Sequence, residues 1–421
     1  MAMHIRRTLS PAAVPLHIKD ILSGVFGLFE GENAIKRFED ELRAFYRVKR
    51  CFAVSSGKAA LVLILQALHE LSPERDEVLI PAYTCYSVPS AIVRAGLKVR
   101  LCDMASGSLD FDFDRIEKQL ENPRLLCVIP THLFGLPADV ERVKRLVNHR
   151  GIFVVEDAAQ AMGAEWNGRK IGTLGDVGLF SMGRGKAFSA VEGGIILTDN
   201  DLIGRAIEKR LGSIARYGVF DCLKLIIYAV ALSVLIHPLI YWLPKSLPFL
   251  KLGETRFNPY FPIRKLSSFQ AGVAKRWKAK IEELKEIRSR NAKKIAGYGI
   301  TPPCALGGGV PDLIRFPVLV ADTDTKRKIL QKSERMGLGI SDGYPDSIDG
   351  IDELGHLSVG YGFPVAKDIA ERMISLPVHP FVKDRDIRKI VQLLVQTDNS
   401  GIHNGMTALM FKLRFRFLMT K

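Results

Sequence analysis

A buried strand that ends in two carboxylates constrains the fold of this chain most strongly. Residues 151–155 form the apolar run GIFVV, which is typical of a strand covered on both faces of a sheet. Glu156 and Asp157 follow this run directly. Because open α/β sheets bind ligands at the carboxyl ends of their strands, the pattern predicts an α/β fold with a polar site at that edge.

A lysine between glycines lies further along the same stretch. Lys186 follows Gly183 and Gly185 and precedes Gly193 and Gly194. Glycine lets the backbone approach a ligand closely because it has no side chain. A pyridoxal phosphate (PLP) site requires such glycines, a lysine amine that condenses with the cofactor aldehyde, and a carboxylate that keeps the pyridine nitrogen protonated. The stretch therefore predicts a PLP site.

Several spaced motifs carry a resemblance to a known family. The chain has E-D-A-A-Q-A from Glu156, G-D-V-G-L-F-S from Gly175, Lys186 five residues after Ser181, and E-G-G from Glu192. This order resembles the DegT/DnrJ/StrS family of sugar aminotransferases, which are fold-type I PLP enzymes. The resemblance implies an α/β fold. A large domain with a mixed, mostly parallel sheet is followed by a smaller α+β C-terminal domain, here with an inserted hydrophobic hairpin.

The resemblance also implies roles for individual residues. Lys186 would be the catalytic lysine that binds the cofactor, and Asp157 the catalytic partner of the pyridine nitrogen. Gln160 would lie near the ring hydroxyl, and Ser181 would contact the cofactor phosphate. No motif has metal-ligand spacing, so no metal is expected.

A second candidate cofactor contact is the turn Ser56, Gly57 and Lys58, between a short strand and a helix. The N-terminus of a helix binds phosphate well because its first N–H groups are free and its dipole is positive there. The family has a threonine where this chain has Lys58. We therefore expect an ammonium to meet the phosphate in place of a hydroxyl.

The residue that stacks on the cofactor ring cannot be assigned from the pattern alone. The family usually has an aromatic residue where this chain has Cys85, which is flanked by Tyr83 and Tyr86. Two alternatives follow: Cys85 lies against the ring, or one of the two tyrosines takes that place.

A basic loop after the insertion matches a loop that crosses between subunits in the family. Arg264 matches the arginine of that loop, but Pro262 replaces the asparagine that normally precedes it by two residues. Asn258 is the nearest possible substitute. The resemblance implies a homodimer whose sites lie at the subunit interface, with Arg264 and Asn258 as substrate or cross-subunit contacts.

Residues 225–243 form the insertion LIIYAVALSVLIHPLIYWL, without a charged residue. The segment just reaches the length of a membrane span, but Pro238 interrupts it. We therefore expect residues 223–250 to form a re-entrant hairpin or an interfacial helix in one leaflet. The alternative is a buried helical insertion at a subunit interface.

The C-terminal tail, TALMFKLRFRFLMTK, mixes aromatic and cationic residues, which suits anionic lipid headgroups. The formal net charge of +15 is compatible with phosphorylated substrates, an acidic membrane or nucleic acid. Nucleic acid is disfavoured because no recognition motif is present.

Four regions are predicted along the chain. They are a large PLP-binding domain (1–221), a hydrophobic insertion for which membrane association is predicted (222–252), a small C-terminal domain (253–396) and a basic amphipathic tail (397–421). The six cysteines are scattered without metal or disulfide spacing and are predicted to be reduced thiols. The chain is therefore expected in the cytoplasm, on the cytoplasmic face of the membrane.

The predicted function is the transfer of an amino group, from glutamate in keeping with the family, to a keto sugar. The sugar would be nucleotide-linked or lipid-linked and would serve surface polysaccharide or glycan biosynthesis. Two alternatives stay open at this point. One is a membrane-associated PLP enzyme of lipid metabolism, and the other is a regulatory or interaction protein whose catalytic site has drifted.

Overall fold

The computed structural model describes residues 7–247, 255–303, 311–360 and 362–398 of the 421-residue chain. Up to residue 218 the helices and strands are α1 (Ile18–Glu30), α2 (Glu32–Tyr46), β1 (Arg50–Val54), α3 (Gly57–Leu71), β2 (Glu77–Pro81), α4 (Ser87–Arg94), β3 (Lys98–Cys102), α5 (Phe113–Gln119), β4 (Leu125–Val128), α6 (Val140–Val147), β5 (Phe153–Asp157), β6 (Glu165–Trp166), β7 (Arg169–Lys170), β8 (Val177–Ser181), β9 (Gly194–Thr198) and α7 (Asp201–Ser213).

The second part of the chain is richer in helix. Its elements are α8 (Val219–Leu235), α9 (Trp242–Lys245), α10 (Ser268–Val273), α11 (Trp277–Ala296), β10 (Phe316–Leu319), α12 (Thr323–Met336), β11 (Ser341–Asp342), β12 (Ser358–Val359), α13 (Pro364–Arg372), β13 (Met373–Leu376) and α14 (Asp384–Thr397).

An eight-stranded sheet in the order β1-β9-β8-β5-β4-β2-β3-β12 forms the centre of the large domain. The strands from β8 to β12 in this order run parallel, whereas β9 is antiparallel to β8 and β1 is antiparallel to β9. Strands β2 and β4 are buried at every position, as expected where helices cover both faces of a parallel sheet. The predicted mixed, mostly parallel α/β fold is confirmed.

A smaller antiparallel sheet, in the order β10-β13-β11, lies in the C-terminal part of the chain. Helix α12 contacts α13 and α14, and α11 contacts α14. Strand β12 falls within the predicted small-domain range 253–396, yet it pairs with β3 at the edge of the large sheet. The two parts of the chain therefore share this edge.

Helix α1 packs unusually closely on α10. Gly24 and Gly27 on α1 face Phe269 and Gly272 on α10, and a Cβ placed at Gly27 would lie 2.4 Å from the carbonyl oxygen of Ser268. Any side chain at this position would push the two helices apart. The close approach explains two glycines in a helix interior, where they otherwise cost stability.

The hydrophobic insertion forms one long helix and one short one. Helix α8 has 17 residues and buries Leu225 and Ala229 against the protein, whereas α9 has only four residues. The turn between them is held by the protein. The carbonyl of Pro238 accepts a hydrogen bond from the N–H of Thr8 at 2.8 Å, and the ring of His237 lies 5.4 Å from that of Phe381.

The described residues of the insertion do not confirm the predicted re-entrant hairpin, because the turn between α8 and α9 is docked on the protein. An interfacial helix and a helical insertion at a subunit interface stay predictions. Across the described ranges, no helix combines the length and apolar character needed to cross a bilayer. Residues 248–252 of the insertion, Cys304 and the tail from residue 399 lie outside the described residues. The remaining cysteines, Cys51, Cys85, Cys102, Cys127 and Cys222, are free thiols, as predicted.

Replacing Gly27 by alanine should destabilise the protein. The added methyl group meets backbone atoms of α10, so we expect a loss of about 1–3 kcal/mol in the free energy of unfolding. Gly212 in α7 is the matched control, because nothing lies within 4 Å of a Cβ placed there. Gly212→Ala should add roughly 0.5–1 kcal/mol by helix propensity. Denaturant unfolding measures both changes, and a stabilising Gly27→Ala would refute the close packing.

Candidate active site

The two carboxylates at the end of β5 have different surroundings. Glu156 is fully buried and accepts hydrogen bonds from the N–H groups of Gly172 and Leu174, both at 2.6 Å. His132 donates its Nε2 proton to Glu156 at 3.0 Å and accepts the N–H of Ala138 at Nδ1. Glu156 and His132 are therefore occupied in holding loops together. Of the predicted acidic pair, only Asp157 remains for the site.

Asp157 lines a cavity beside the carboxyl ends of β5 and β8. Its Oδ1 accepts the N–H of Ala159 at 3.0 Å. Burial raises the pKa of this carboxyl, and the hydrogen bond from Ala159 and the positive charge of Lys186 act in the opposite direction. A cationic ring nitrogen beside Asp157 would likewise favour the ionised carboxylate.

The cavity has a volume of about 560 Å³. The structure places every cofactor-contacting residue predicted from the sequence in its lining. These residues are Ser56, Gly57, Lys58, Cys85, Asp157, Gln160, Ser181 and Lys186. Four separate stretches of the sequence therefore meet at one edge of the large sheet.

The N-terminus of α3 forms one end of this cavity. Ser56 caps the helix by accepting the N–H of Ala59 at its Oγ, at 3.1 Å. The N–H groups of Gly57 and Lys58 occupy the first two helical positions, where no intrahelical acceptor exists. A Cβ placed at Gly57 would lie 2.8 Å from the Cβ of Ser181, so glycine is needed to bring the helix against β8.

Gln160 lines the cavity and is held by a residue of the C-terminal part of the chain. The amide of Gln160 donates to the hydroxyl of Tyr344 at 2.9 Å, and its oxygen accepts the N–H of Phe134 at 3.2 Å. The N–H of Tyr344 in turn donates to the hydroxyl of Tyr83 at 3.1 Å. Gln160 is therefore fixed by a residue that lies far away in the sequence.

Hydrogen bonding and burial distinguish the three candidates for contact with the cofactor ring, Tyr83, Cys85 and Tyr86. Tyr83 is completely buried behind Tyr344, and the hydroxyl of Tyr86 donates to the carbonyl of Asp346 at 3.4 Å. Cys85 alone of the three lines the cavity, and its thiol donates to the hydroxyl of Ser87 at 3.2 Å. Of the two alternatives left open by the sequence, the geometry favours Cys85.

Two predicted residues lie outside the lining of this cavity. Arg264 forms an ion pair with Asp221 at 2.7 Å, and Asn258 accepts the N–H of Tyr260 at its side-chain oxygen. Sequence reasoning assigned no role to Arg184, although this residue precedes Lys186 by only two positions. Arg184 lines the cavity and lies over the ring of Tyr228 in α8, with its Cζ 5.2 Å from the ring centroid.

The lining matches the chemical groups of PLP. Free backbone N–H groups and the hydroxyl of Ser181 suit a phosphate, a buried carboxylate suits the pyridine nitrogen, and an amine suits the aldehyde. Next to Cys85, the hydroxyl oxygen of Thr84 is buried without a hydrogen-bond partner in the described part of the chain. The residues that line the cavity therefore fit the groups of PLP.

Residues 18–218 match the sequence profile of the DegT/DnrJ/EryC1/StrS aminotransferase family. This segment, just under half of the chain, is similar to that family. The chain is 34% identical over 185 residues to the L-glutamine:2-deoxy-scyllo-inosose aminotransferase of Streptomyces kanamyceticus. The aligned residues cover 44% of this chain and 43% of that relative. The match thus spans less than half the length of that relative.

Other similarities extend over nearly the whole chain. The UDP-N-acetyl-3-dehydro-alpha-D-glucosamine 3-aminotransferase of Acidithiobacillus ferrooxidans is 25% identical over 388 residues, covering 90% of this chain and 94% of that relative. The structure of the aminotransferase PseC from Helicobacter pylori superimposes with a TM-score of 0.74 at 18% identity, covering 93% and 100% of the two chains. At this identity the superposition shows a common fold.

Replacing Asp157 by asparagine should change how PLP and pH act on stability. The raised pKa means that folding favours the protonated carboxyl. The protonated carboxyl contributes fully to stability below about pH 4, which is the pKa of aspartate in the unfolded chain. This contribution is lost as the pH rises through the higher pKa of Asp157 in the folded protein. Asp157→Asn should therefore make the apoprotein more stable at neutral pH, while reducing the increase in melting temperature caused by PLP.

Glu39 provides the matched control, since burial raises its pKa to about 7 at a position away from the cavity. Glu39→Gln should stabilise the apoprotein at high pH in the same way and leave the PLP effect intact. Thermal unfolding of the apoprotein and the PLP-saturated protein at acidic and neutral pH measures both. An unchanged PLP effect in Asp157→Asn would contradict the pairing of Asp157 with the ring.

Proposed function

We propose that this protein is a PLP-dependent aminotransferase that moves an amino group, from glutamate, to the keto group of a sugar. The sugar is linked to a nucleotide or a lipid carrier and serves surface polysaccharide or glycan biosynthesis. One observation carries the proposal. A single cavity brings together Lys186, the buried carboxylate of Asp157 and the N-terminus of α3.

Each of these groups has a defined task. When bound, PLP supplies an electron sink for negative charge at the carbon next to the donor nitrogen. Asp157 holds a proton at the pyridine nitrogen, and the Nζ of Lys186 moves a proton to and from the reacting carbon. Backbone N–H groups of α3 and the hydroxyl of Ser181 bind the phosphate. Gln160 orients the ring from the side of the small domain.

Lysine at position 186 favours transamination over dehydration. Some relatives in the family are dehydratases in which histidine replaces the lysine, and one structure of similar fold is the GDP-4-keto-6-deoxy-D-mannose-3-dehydratase of E coli with bound hydrated PLP. The relatives quoted above by sequence similarity are named as aminotransferases. The presence of Lys186 also speaks against a drifted, non-enzymatic protein.

Two cations at the mouth of the cavity support an anionic acceptor. The Nζ of Lys58 lies 4.2 Å from the centroid of the Phe261 ring, and Arg184 lies over Tyr228. Both side chains line the cavity. Cationic groups held over aromatic rings at the entrance suit the phosphates of a sugar carrier, and they are not needed for an uncharged substrate.

The second copy of the chain is the proposed partner that completes the site. In the family the loop containing Arg264 crosses to the neighbouring subunit, and here Arg264 does not line the cavity of its own chain. Its guanidinium lies on Asp221 and over the ring of Tyr217. We propose that Arg264, and Asn258 beside it, serve the cavity of the partner in a homodimer.

The outer face of α8 is the proposed membrane contact. Phe220, Leu223, Ile227, Val230 and Val234 are 47–80% exposed and follow the spacing of one helix face. With the basic tail, this face suits the anionic cytoplasmic surface of a membrane, where a lipid-linked acceptor would lie. The alternative occupant, a second copy of the chain, is an outcome of the test below.

The amino-transfer half-reaction tests the catalytic assignment. Glutamate should bleach the visible absorbance of the PLP-loaded protein, and Lys186→Ala should slow this change by about 10²–10⁴-fold because the proton carrier is lost. Lys285→Ala is the matched control, since Lys285 pairs with Asp312 at 2.9 Å and does not line the cavity, and it should keep an adduct at Lys186 that borohydride traps. Wild-type protein that is saturated with PLP and does not respond to glutamate would exclude the proposed reaction with this donor.

Vesicle binding tests the membrane contact. A Leu223→Glu/Ile227→Glu variant should bind vesicles of phosphatidylcholine and phosphatidylglycerol about 10- to 100-fold more weakly, because two apolar side chains lose their burial. Leu202→Glu is the control, since Leu202 is similarly exposed on α7. A double variant that becomes monomeric, while vesicle binding is unchanged, would assign this face to the subunit interface.

A further inference from the structure

A buried guanidinium contacts the backbone of the turn that carries Lys186. We call this turn, residues 183–187, the lysine turn. Arg288 lies on the inward face of α11, in line with the apolar residues Ile281, Leu284 and Ile295, and only 5% of it is exposed. Its Nη1 donates to the carbonyl of Ala187 at 2.8 Å and its Nη2 to the carbonyl of Lys186 at 3.0 Å. A residue of the second half of the chain therefore holds the main chain of Lys186.

No carboxylate in the described ranges forms an ion pair with Arg288. Burial lowers the pKa of its guanidinium to about 10, and the Nε atom is buried without a hydrogen-bond partner among the described residues. An unpaired buried charge is costly. The hydrogen bonds to the carbonyls of Lys186 and Ala187 therefore offset part of the cost of burying this charge.

The same turn is also supported from its other side. A Cβ placed at Gly185 would lie 3.0 Å from the Cβ of Ala12, so the N-terminal segment runs directly beneath the turn. That segment is tied to the C-terminal part of the chain, because the N–H of Leu9 donates to Gly337 and Ser10 accepts from the Nε2 of His379 at 2.8 Å. Elements outside the large sheet therefore support both faces of the lysine turn.

We propose that Arg288 is a positioning residue that fixes the carbonyls of Lys186 and Ala187 and thereby aims the Nζ of Lys186 into the cavity. The link to catalysis rests on the proposed function, whereas the effect on the lysine turn does not. Without these two bonds the turn can rotate about its backbone dihedrals, which displaces an amine at the end of a long side chain. A displacement of about 1 Å at a reacting group can cost roughly 100-fold in rate.

Backbone hydrogen exchange of the apoprotein is the first test, because it needs neither cofactor nor activity. Arg288→Met keeps the length and apolar stem of the side chain and removes both donors. We expect exchange in the peptide covering residues 182–188 to become about 10-fold faster or more. Asn291→Ala is the matched control: Asn291 is also buried on α11, but it donates to Val378 and not to the lysine turn.

Arg288→Lys keeps the positive charge, but an ammonium lacks the planar pair of donors that reaches both carbonyls. Exchange at residues 182–188 should therefore rise less in Arg288→Lys than in Arg288→Met. This variant also serves as the test if Arg288→Met does not fold. The proposal is overturned if exchange in this peptide rises no more in the Arg288 variants than in Asn291→Ala.

The PLP-loaded protein then separates this proposal from the proposed function. In Arg288→Met we expect a lower rate of borohydride trapping at Lys186, and a kcat for the glutamate half-reaction reduced about 10- to 100-fold with KM nearly unchanged. Asn291→Ala should affect thermal stability alone. If wild-type protein forms no adduct at Lys186, the proposed function fails while the exchange result still decides the role of Arg288 in the turn. Normal trapping and kcat in Arg288→Met would refute the catalytic link.

Discussion

The hydrogen-bonded register of four neighbouring strands is the constraint on which the site depends. Asp157 pairs with Leu179 across β5 and β8, while Ser181 pairs with Gly194 across β8 and β9, and Gly194 pairs with Val54 across β9 and β1. The strand ends therefore lie side by side, and the turn of Ser56, Gly57 and Lys58 starts two residues after Val54. A slip of one residue would turn each side chain to the opposite face of the sheet.

This alternation of side chains along a strand explains why the adjacent carboxylates of Glu156 and Asp157 have different surroundings. Glu156 points to the side where backbone N–H groups and His132 satisfy it, and it acts as a structural acceptor. Asp157 points into the cavity, where burial raises its pKa and a cation is needed to keep it ionised. In the proposed function the pyridine nitrogen of PLP would supply such a cation, and we therefore expect the binding of the cofactor and the charge of Asp157 to depend on each other.

The insertion links the cavity to the outer surface of the protein. On its inner side, Tyr228 of α8 lies under Arg184 at the mouth of the cavity, and Asp221 at the start of the helix holds Arg264. On its outer side, the same helix presents the apolar face of Phe220, Leu223 and Ile227. One helix therefore contacts two arginines on one side, of which Arg184 lines the cavity, and presents an apolar face on the other.

The sequence by itself determined the fold class and the set of predicted cofactor contacts that line the cavity, but not Arg184, Tyr217 or Phe261 beside them. Apolar runs, a helix N-terminus and the spacing from Asp157 to Lys186 are local patterns, and parallel strands necessarily bring their carboxyl ends to one edge. Only the tertiary structure decided the contacts between distant segments: Tyr344 on Gln160, Arg288 on Lys186, and the docking of the turn at Pro238 on Thr8. These contacts depend on packing between domains, which has no periodicity along the chain, and no local sequence pattern could therefore predict them.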